Sequence, residues 1–288
     1  MYYVIDHSYG QNLGFADNDE DDGDALSIIS EVLEGNRQLE DWILRVLPPL
    51  GLHVYQEPLS PEELNKIPSS AEAVIRQRFN IVLSLRYHNL RVLLHRKFLE
   101  RFLDYLGIDG HTSNNSVSSQ EKAILRQVGS GSVQKCVQSA MAIISTMHTI
   151  SLSPAKWHRS ILGAWNYSLY YSISFTICSW HIYIYIYTDP SIAFNAGLCI
   201  FAALLVITKE PQAQADSSDT DNTDTWPLLH SVETSRPYLL MAADALRHLD
   251  PGNLVIERCV DYLMQLEVAL ERICKPSHPR MVFALGSC

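Results

Sequence analysis

An all-α fold, a single irregular bundle of several helices, is predicted by two features of the sequence. Over most of the chain the apolar residues recur at spacings of three and four, which is the pattern of an amphipathic helix. These stretches alternate with segments rich in Pro, Gly, Asp and Ser, which end helices and form loops. The 288 residues, 47% of them hydrophobic, are enough to bury a sizeable core.

The N-terminal part combines an acidic loop with a helix. Residues Asp17–Asp24 (DNDEDDGD) carry six carboxylates, whose mutual repulsion predicts a solvated loop. The next stretch, ALSIISEVLEG, is expected to be a helix that ends at Gly35, with three apolar residues on its buried side: Leu26, Ile29 and Leu33. We therefore interpret 1–35 as an acidic, partly disordered segment with one helix.

A larger domain is predicted over 36–274, followed by a tail, 275–288. It opens with the helical stretch LEDWILRVLPPL, in which Leu39, Trp42, Ile43 and Val46 share one face and Pro48 ends the helix. A connection follows to the strongest helix of the chain, Ala71–Leu106. Its apolar positions keep helical spacing over many turns and are expected to be buried: Phe79, Val82, Leu83, Leu90, Leu93, Leu94, Phe98, Phe102 and Leu106.

The remainder of this domain also shows helical patterns. Helices are predicted over Gln120–Ser151, with a break near Gly129–Gly131, and over Trp157–Tyr171, Arg236–Leu249 and Asn253–Ile273. Ser235 and Pro237 are expected to supply the N-cap and first turn of the third of these. The stretch Lys209–Ser235, rich in Asp, Ser and Thr, is interpreted as a mobile acidic linker.

Composition limits the classes of function. The formal net charge of −10 disfavours nucleic acid as a partner of the whole surface. Two apolar stretches, Trp165–Tyr187 and Ser191–Ile207, leave open a helical membrane-associated protein that uses residues 172–207. The cysteines lack the spacing of a zinc site and are expected to be reduced thiols of an intracellular protein: Cys136, Cys178, Cys199, Cys259, Cys274 and Cys288.

Motifs of catalysis are weak, so we predict that the chain is not an enzyme. The histidines form no HExxH, and neither GxSxG nor a phosphate-binding loop is present. The remaining enzyme alternative is a magnesium-dependent all-α isoprenoid synthase, because Asp24, Ser27 and Glu31 fit the D-x-x-S-x-x-x-E spacing of that family. The other acidic motif it needs, Asp19–Asp24, overlaps this one in sequence, whereas the two motifs must face each other across a cavity.

The segment Ser84–Leu103 concentrates basic residues around an apolar stripe. A DNA-recognition helix is one interpretation, but such a helix is short and exposed, whereas this one is long and has a broad apolar face. We expect its polar side chains to bind backbone or carboxylate partners where helices cross: Arg86, Tyr87, His88, His95 and Arg96.

Several segments together resemble the fungal-specific transcription factor domain, the middle homology region of the binuclear zinc-cluster regulators. LEDWILRVLPPL, with Trp42, is similar to the first helix of that family. SLRYHNLRVLLHRKFL is similar to its most recognisable segment, Leu-x-x-x-Tyr-His-x-x-x-x-x-Leu-His-Arg-Pro-Phe-Leu, with Lys97 where proline is usual. CVQSAMAIISTM, LGAWNYSLYY and AFNAGLCIFAALLV resemble the helices that follow, which carry the motif residues Trp165, Tyr170, Tyr171 and Phe194.

The stretch His181–Thr188 (HIYIYIYT) alternates with the period of a strand and stands apart from this pattern. In the family the tyrosine pair continues directly into the Phe-x-Ala segment, so we interpret 172–192 as an insertion. Its Ile-Tyr alternation is what an AT repeat encodes, which suggests a retained intron. A genuine amphipathic insertion is the alternative.

The resemblance implies a nuclear, non-catalytic regulator of transcription. Its expected partners are co-regulators or the transcription machinery, with a small-molecule effector in an apolar cavity among the helices and a homodimer as further expectations. The zinc-cluster module, with its C-x2-C-x6-C spacing, is not found in these residues. We therefore expect DNA contact only through such a module, zinc only within it, and a truncated gene product or a regulator that does not itself bind DNA.

Overall fold

A computed structural model describes residues 25–66, 70–106, 123, 125–154, 188–215, 232–249 and 251–274. These residues form seven helices and no strand, which confirms the all-α prediction: α1 Ala25–Arg45, α2 Pro61–Asn65, α3 Ala71–Tyr105, α4 Ser130–Leu152, α5 Thr188–Ala215, α6 Pro237–Leu249 and α7 Leu254–Cys274. A 3₁₀ turn, Pro48–Leu50, follows α1, and a π-helical turn, Leu125–Gly129, precedes α4.

The long helix α3 lies at the centre of the bundle. It begins where the sequence predicts, because the Ser70 hydroxyl accepts a hydrogen bond from the Ala73 N–H at 3.3 Å and caps the first turn. It packs against α1, α4 and α5, and its C-terminal half buries Leu94, Phe98 and Phe102. Every segment that carries a family-like motif and is described by the structure therefore contacts α3 or a direct neighbour of α3.

Helix α5 contains a long apolar stretch that contributes to the core. Its stretch Ile192–Lys209 has a mean hydropathy of 2.0 and is long enough to span a membrane. In the structure, however, this helix packs against α3, α4, α6 and α7, and Ala196, Ile200, Ala203 and Val206 are buried. Burial inside the bundle thus accounts for its hydropathy.

Helix α1 differs from the prediction, because it runs without a break through Gly35. A Cβ at Gly35 would lie 2.8 Å from Leu94 Cδ1, so the glycine is used for close packing against α3 and does not end the helix. Because the helix continues past Gly35, the side of α1 that is buried differs from the predicted one. Val32 and Leu39 are buried, whereas Leu33, which was expected to be buried, is exposed.

The bounds of α5 also differ from expectation. The helix begins at Thr188, inside the predicted 172–192 insertion, and Ile192 is already buried. It continues to Ala215, beyond Lys209, where the acidic linker was predicted to begin. The helix as a whole packs against four others in the bundle. The predicted helix Trp157–Tyr171, residues 181–187, the acidic loop 17–24 and the tail 275–288 lie outside the described residues.

Candidate functional site

Two neighbouring faces of α3 carry most of the described motif residues. One face, which holds His88, lies against an extended segment, Leu52–Tyr55, that we call the strap. The other face, which holds Tyr87 and His95, is turned toward α1. Tyr87, His88 and His95 are all buried, although a helix of this composition would place such polar side chains in solvent.

The strap is held on α3 by three polar side chains spaced four residues apart. Asn80 Oδ1 accepts from the His53 N–H at 3.1 Å, and Ser84 Oγ accepts from the Tyr55 N–H at 2.8 Å. His88 Nε2 lies 2.9 Å from the Tyr55 carbonyl oxygen. In the described part of the chain no strand lies beside the strap, so these side chains satisfy backbone groups that a sheet would otherwise pair.

Ring contacts reinforce the same junction. The Gln77 amide donates to the Tyr55 hydroxyl at 2.5 Å, and Asn80 Nδ2 lies 3.1 Å from His53 Nδ1. The rings of His53 and Tyr55 meet edge to face, with centroids 4.7 Å apart. Burial raises the pKa of the Tyr55 hydroxyl. The phenol therefore stays protonated near neutral pH and serves as a hydrogen-bonding and packing group.

A second polar seam joins α3 to α1. His95 Nε2 lies 3.3 Å from Asn36 Oδ1, and the Asn36 amide donates to Glu40 at 2.8 Å. The Arg91 guanidinium lies over the Tyr87 ring, 5.4 Å from its centroid, which is a cation–π arrangement. Tyr87, Arg91 and His95 are one turn apart, so they form a continuous line of polar side chains on this face.

The two buried histidines are held neutral. Burial lowers the pKa of His88 to about 4, and the nearby Arg91 charge acts in the same direction. Burial, with the charges of Lys135 and Arg91, lowers the pKa of His95 to about 3. Each ring places Nε2 against an oxygen acceptor, which assigns the Nε2–H tautomer to both, while each Nδ1 is buried without a hydrogen-bond partner.

The basic residues that follow His95 are engaged in ion pairs. Arg96 lies 3.4 Å from Glu100, one turn further along α3. Lys97, at the position where the family pattern has proline, pairs with Glu31 of α1 at 2.5 Å, and this pair is largely shielded from solvent. Glu31 was a candidate magnesium ligand of the enzyme alternative. Its carboxylate instead joins α1 to α3.

The other motif residues are distributed over the bundle. Trp42 on α1 is half-buried against the core, and Arg86 is half-buried on α3. Phe194 on α5 packs against Tyr262 of α7, with ring centroids 5.9 Å apart. Trp165, Tyr170 and Tyr171 lie outside the described residues, so the structure does not bring them together with the α3 seams.

The prediction for the first turns of α3 was wrong in one respect. Phe79 is exposed, whereas the neighbouring Asn80 and Ser84 are buried. The polar strap lies against Asn80 and Ser84, so these two residues are buried together with their apolar neighbours Ile81 and Leu85. Asn80, Ser84 and His88 at intervals of four residues were a signal that the sequence offered, since polar residues on one helical face bind a polar partner when buried.

The geometry is that of a structural junction. Asn80, Ser84, His88 and His95 each bind protein backbone or another side chain through one polar atom, whereas Nδ1 of both histidines and Nε of Arg91 are buried without a hydrogen-bond partner. Neither of the grooves described next is lined by residues of these faces. One depression, about 300 Å³, lies where α6 meets the start of α7, between Arg247 and Val260. A second, about 520 Å³, lies along α7 and is lined by Asp261, Met264, Gln265, Val268, Ala269 and Arg272. Neither is the apolar cavity expected among the helices. In the described part of the chain no group of three or more His, Cys, Asp or Glu side chains is arranged to hold a metal.

The fold and these junctions define an all-α bundle organised on one long helix. Comparisons with known proteins then point to a class of relatives. The chain is 25% identical over 278 residues to Transcription factor FBD3 of Fusarium pseudograminearum (strain CS3096), an alignment that covers 95% of this chain and 29% of that protein. It is 28% identical over 184 residues to Transcription factor FBD3 of Gibberella moniliformis (strain M3125 / FGSC 7600), covering 62% of this chain and 22% of that protein.

The chain thus spans less than a third of the length of these two relatives. No family model and no solved structure matches it.

Proposed function

We propose that this chain is a transcription regulator, and that residues 36–274 form the regulatory, middle homology domain of a fungal zinc-cluster type factor. The observation that carries the proposal is the similarity to Transcription factor FBD3 along 95% of the chain. The all-α fold agrees with it, as does the position of the motif residues of α3 in one set of helix junctions.

The geometry explains how such a domain would work without catalysing a reaction. The histidines of the family-like motif are neutral and buried, and each donates to a fixed oxygen. They are therefore unsuited to transferring protons to a substrate at neutral pH. Their effect is to fix the strap and α1 on α3, so that the surfaces of these elements are presented in one arrangement.

The finer parts of the proposal follow from the resemblance. The domain would act in the nucleus, with co-regulators or the transcription machinery as partners, and DNA would be contacted through a zinc-cluster module outside these residues. That module would also be the place where zinc is bound. A small-molecule effector and a second copy of the chain are the remaining partners that the resemblance implies.

A reporter experiment tests the proposal. The whole chain is fused to a heterologous DNA-binding domain and a fluorescent protein in a fungal host, with a reporter gene downstream of the matching operator. The fusion is expected to accumulate in the nucleus and to change reporter expression relative to the DNA-binding domain alone. A folded, nuclear fusion that leaves the reporter unchanged would contradict the proposal.

Two variants test whether the α3 junctions are needed for the effect on the reporter. Ser84→Ala removes a buried strap contact and is expected to weaken the reporter effect, whereas Ser30→Ala changes an exposed serine of α1 and is expected to preserve it. Equal reporter effects of the two variants would show that the α3 junctions are not needed for regulation.

A membrane-associated protein is the second candidate, favoured only by the apolar stretch Ile192–Lys209. Because this stretch packs against four helices, we expect salt without detergent to extract the protein from the membrane fraction of a cell lysate. Retention in the membrane pellet until detergent is added would favour the membrane candidate.

A further inference from the structure

Helix α7 carries apolar side chains on two sides. The side that packs into the bundle is buried at successive turns: Ile256, Val260, Leu263 and Leu270. On the other side Tyr262 is 49% exposed and Val268 is 44% exposed, between exposed charged residues. Apolar surface on a helix that is already packed along its opposite side indicates a place where another element binds.

This second side, which we call the outer face of α7, is shaped to receive an elongated partner. It consists of the six residues that line the depression of about 520 Å³ together with Tyr262. The depression runs along the helix and is open to solvent, so it does not enclose a small molecule in the way that a ligand cavity does. An amphipathic helix fits a surface of this kind.

We propose that the outer face of α7 binds the same face of α7 in a second copy of this chain, with the two helices antiparallel about a twofold axis near Leu266. An interface of this symmetry uses one surface on both copies, so that if residue i contacts residue j of the partner, residue j contacts residue i. This inference rests on the proposed function, in which a second copy is an expected partner, and deepens it by naming the surface.

The charged residues of the outer face are complementary to themselves in this arrangement. Asp261 lies five residues before Leu266, and Arg272 lies six residues after it. The carboxylate of one copy therefore comes level with the guanidinium of the other. Both side chains are exposed, and the symmetry forms the ion pair twice.

The apolar residues match in the same way. Met264 precedes Leu266 by two positions and Val268 follows it by two, so the side chain of each meets that of the other across the axis. Tyr262 comes opposite Ala269, which places a large ring against a small side chain.

The spacing within each pair places its two members on the same flank of the helix. The intervals are 4 residues from Met264 to Val268, 7 from Tyr262 to Ala269 and 11 from Asp261 to Arg272. Each interval is close to a whole number of helical turns. In an antiparallel pair with this symmetry each flank faces the same flank of the partner, so all three pairs are brought together at once. This self-complementarity is the reason to assign the face to a second copy of the chain.

The interface is small, so the dimer is expected to be weak. One pair of helices about 30 Å long offers less surface than the roughly 800 Å² per partner of a typical stable complex. We therefore expect a Kd of about 1–100 µM.

Sedimentation velocity of the purified whole chain, from about 1 to 300 µM, tests the proposal. The chain should shift from monomer to dimer over this range. Asp261→Arg and Arg272→Asp should each raise the Kd about tenfold or more, because each places like charges opposite one another twice. The variant that carries both substitutions should regain the original Kd. Glu57→Arg, a charge reversal at an exposed residue outside α7, is the matched control and should leave the Kd unchanged.

A mixture of the two single variants gives the sharpest result. In a heterodimer of Asp261→Arg with Arg272→Asp, each of the two ion-pair positions again joins opposite charges. The equimolar mixture should therefore dimerise about as tightly as the original chain, although each variant alone does so weakly. Far-UV circular dichroism checks that each variant is folded, and this rescue cannot be produced by variants that fail to fold.

The proposal would be overturned by a chain that stays monomeric over the whole range, by a dimer whose Kd neither single variant changes, or by the absence of rescue in the mixture. A dimer without an effect on the reporter would contradict the proposed function alone. A monomer that regulates the reporter would contradict the α7 interface alone.

Discussion

The stability of this protein should fall as the pH is lowered through the ordinary range of histidine. His88 and His95 have an ordinary pKa of 6.5, which burial lowers to about 4 and about 3 in the folded chain. The unfolded chain therefore binds protons at a pH where the folded chain does not. The contribution of these neutral histidines to the free energy of unfolding is fully present above about pH 6.5. It is lost as the pH falls toward their pKa values in the folded chain.

The magnitude follows from the size of these shifts. Each pH unit below the unfolded pKa costs about 1.4 kcal/mol per histidine until the folded pKa is reached. At a pH of about 5, each of the two histidines should have cost roughly 2 kcal/mol of unfolding free energy, or roughly 4 kcal/mol together. This is a large part of the stability of an ordinary domain, so unfolding in mild acid is expected.

Urea unfolding followed by far-UV circular dichroism at a series of pH values measures the effect. The double variant His88→Gln, His95→Gln keeps a donor near each Nε2 position but cannot be protonated, so its stability should depend much less on pH over this interval. His248→Gln is the matched control, since His248 is exposed on α6 and lies outside both seams. A wild-type stability that is flat between neutral pH and pH 5, or a double variant that keeps the full dependence, would refute the assignment of two buried neutral histidines.

Three further predictions concern the junctions of α3. In denaturant titrations Gly35→Ala should be at least about 1 kcal/mol less stable than Gly131→Ala. The reason is that a Cβ at Gly35 would lie 2.8 Å from Leu94, whereas one at Gly131 meets nothing within 4 Å. Equal effects of the two substitutions would rule out the close packing at Gly35. Ser84→Ala should cost about 1 kcal/mol by removing the acceptor of the partly buried Tyr55 N–H, whereas Ser30→Ala should stay within about 0.5 kcal/mol. A double-mutant cycle of Lys97→Met and Glu31→Gln should give a coupling free energy of about 1–2 kcal/mol in denaturant titrations. A coupling near zero would show that this ion pair does not stabilise the contact of α1 with α3.

Helical periodicity alone was sufficient for several elements. Helix α3 begins at Ala71 as predicted, since Ser70 is a strong cap and apolar residues follow at helical spacing. The helix that starts at Pro237 agrees with the predicted position, because proline is favoured in a first turn. The Ser235 hydroxyl, which was expected to cap it, instead donates to the Val232 carbonyl at 2.6 Å. These signals are local, so they are fully present in the sequence.

The candidate site was predictable only in part. The motif in Ser84–Leu103 identified Tyr87, His88 and His95 as residues with polar partners at helix crossings, but nothing in that segment identified the partners. The strap residue Tyr55 lies 33 positions before His88, and Asn36 lies 59 positions before His95. Contacts over such separations depend on how the chain folds back on itself, which local patterns do not record.

Local patterns were enough to predict the all-α class, the extent of α3 and the polar residues that interrupt its apolar positions. Three outcomes depended on contacts between distant parts of the chain: Gly35 serves close packing and does not end a helix, Phe79 is exposed while Ser84 is buried, and α5 continues beyond the predicted linker boundary. The physical reason is that secondary structure follows from interactions within a few residues, whereas burial is decided by the neighbour that occupies each face. On one side of α3 that neighbour is a polar strap, so Asn80 and Ser84 are buried there by hydrogen bonding, beside the apolar Ile81 and Leu85 that the core buries.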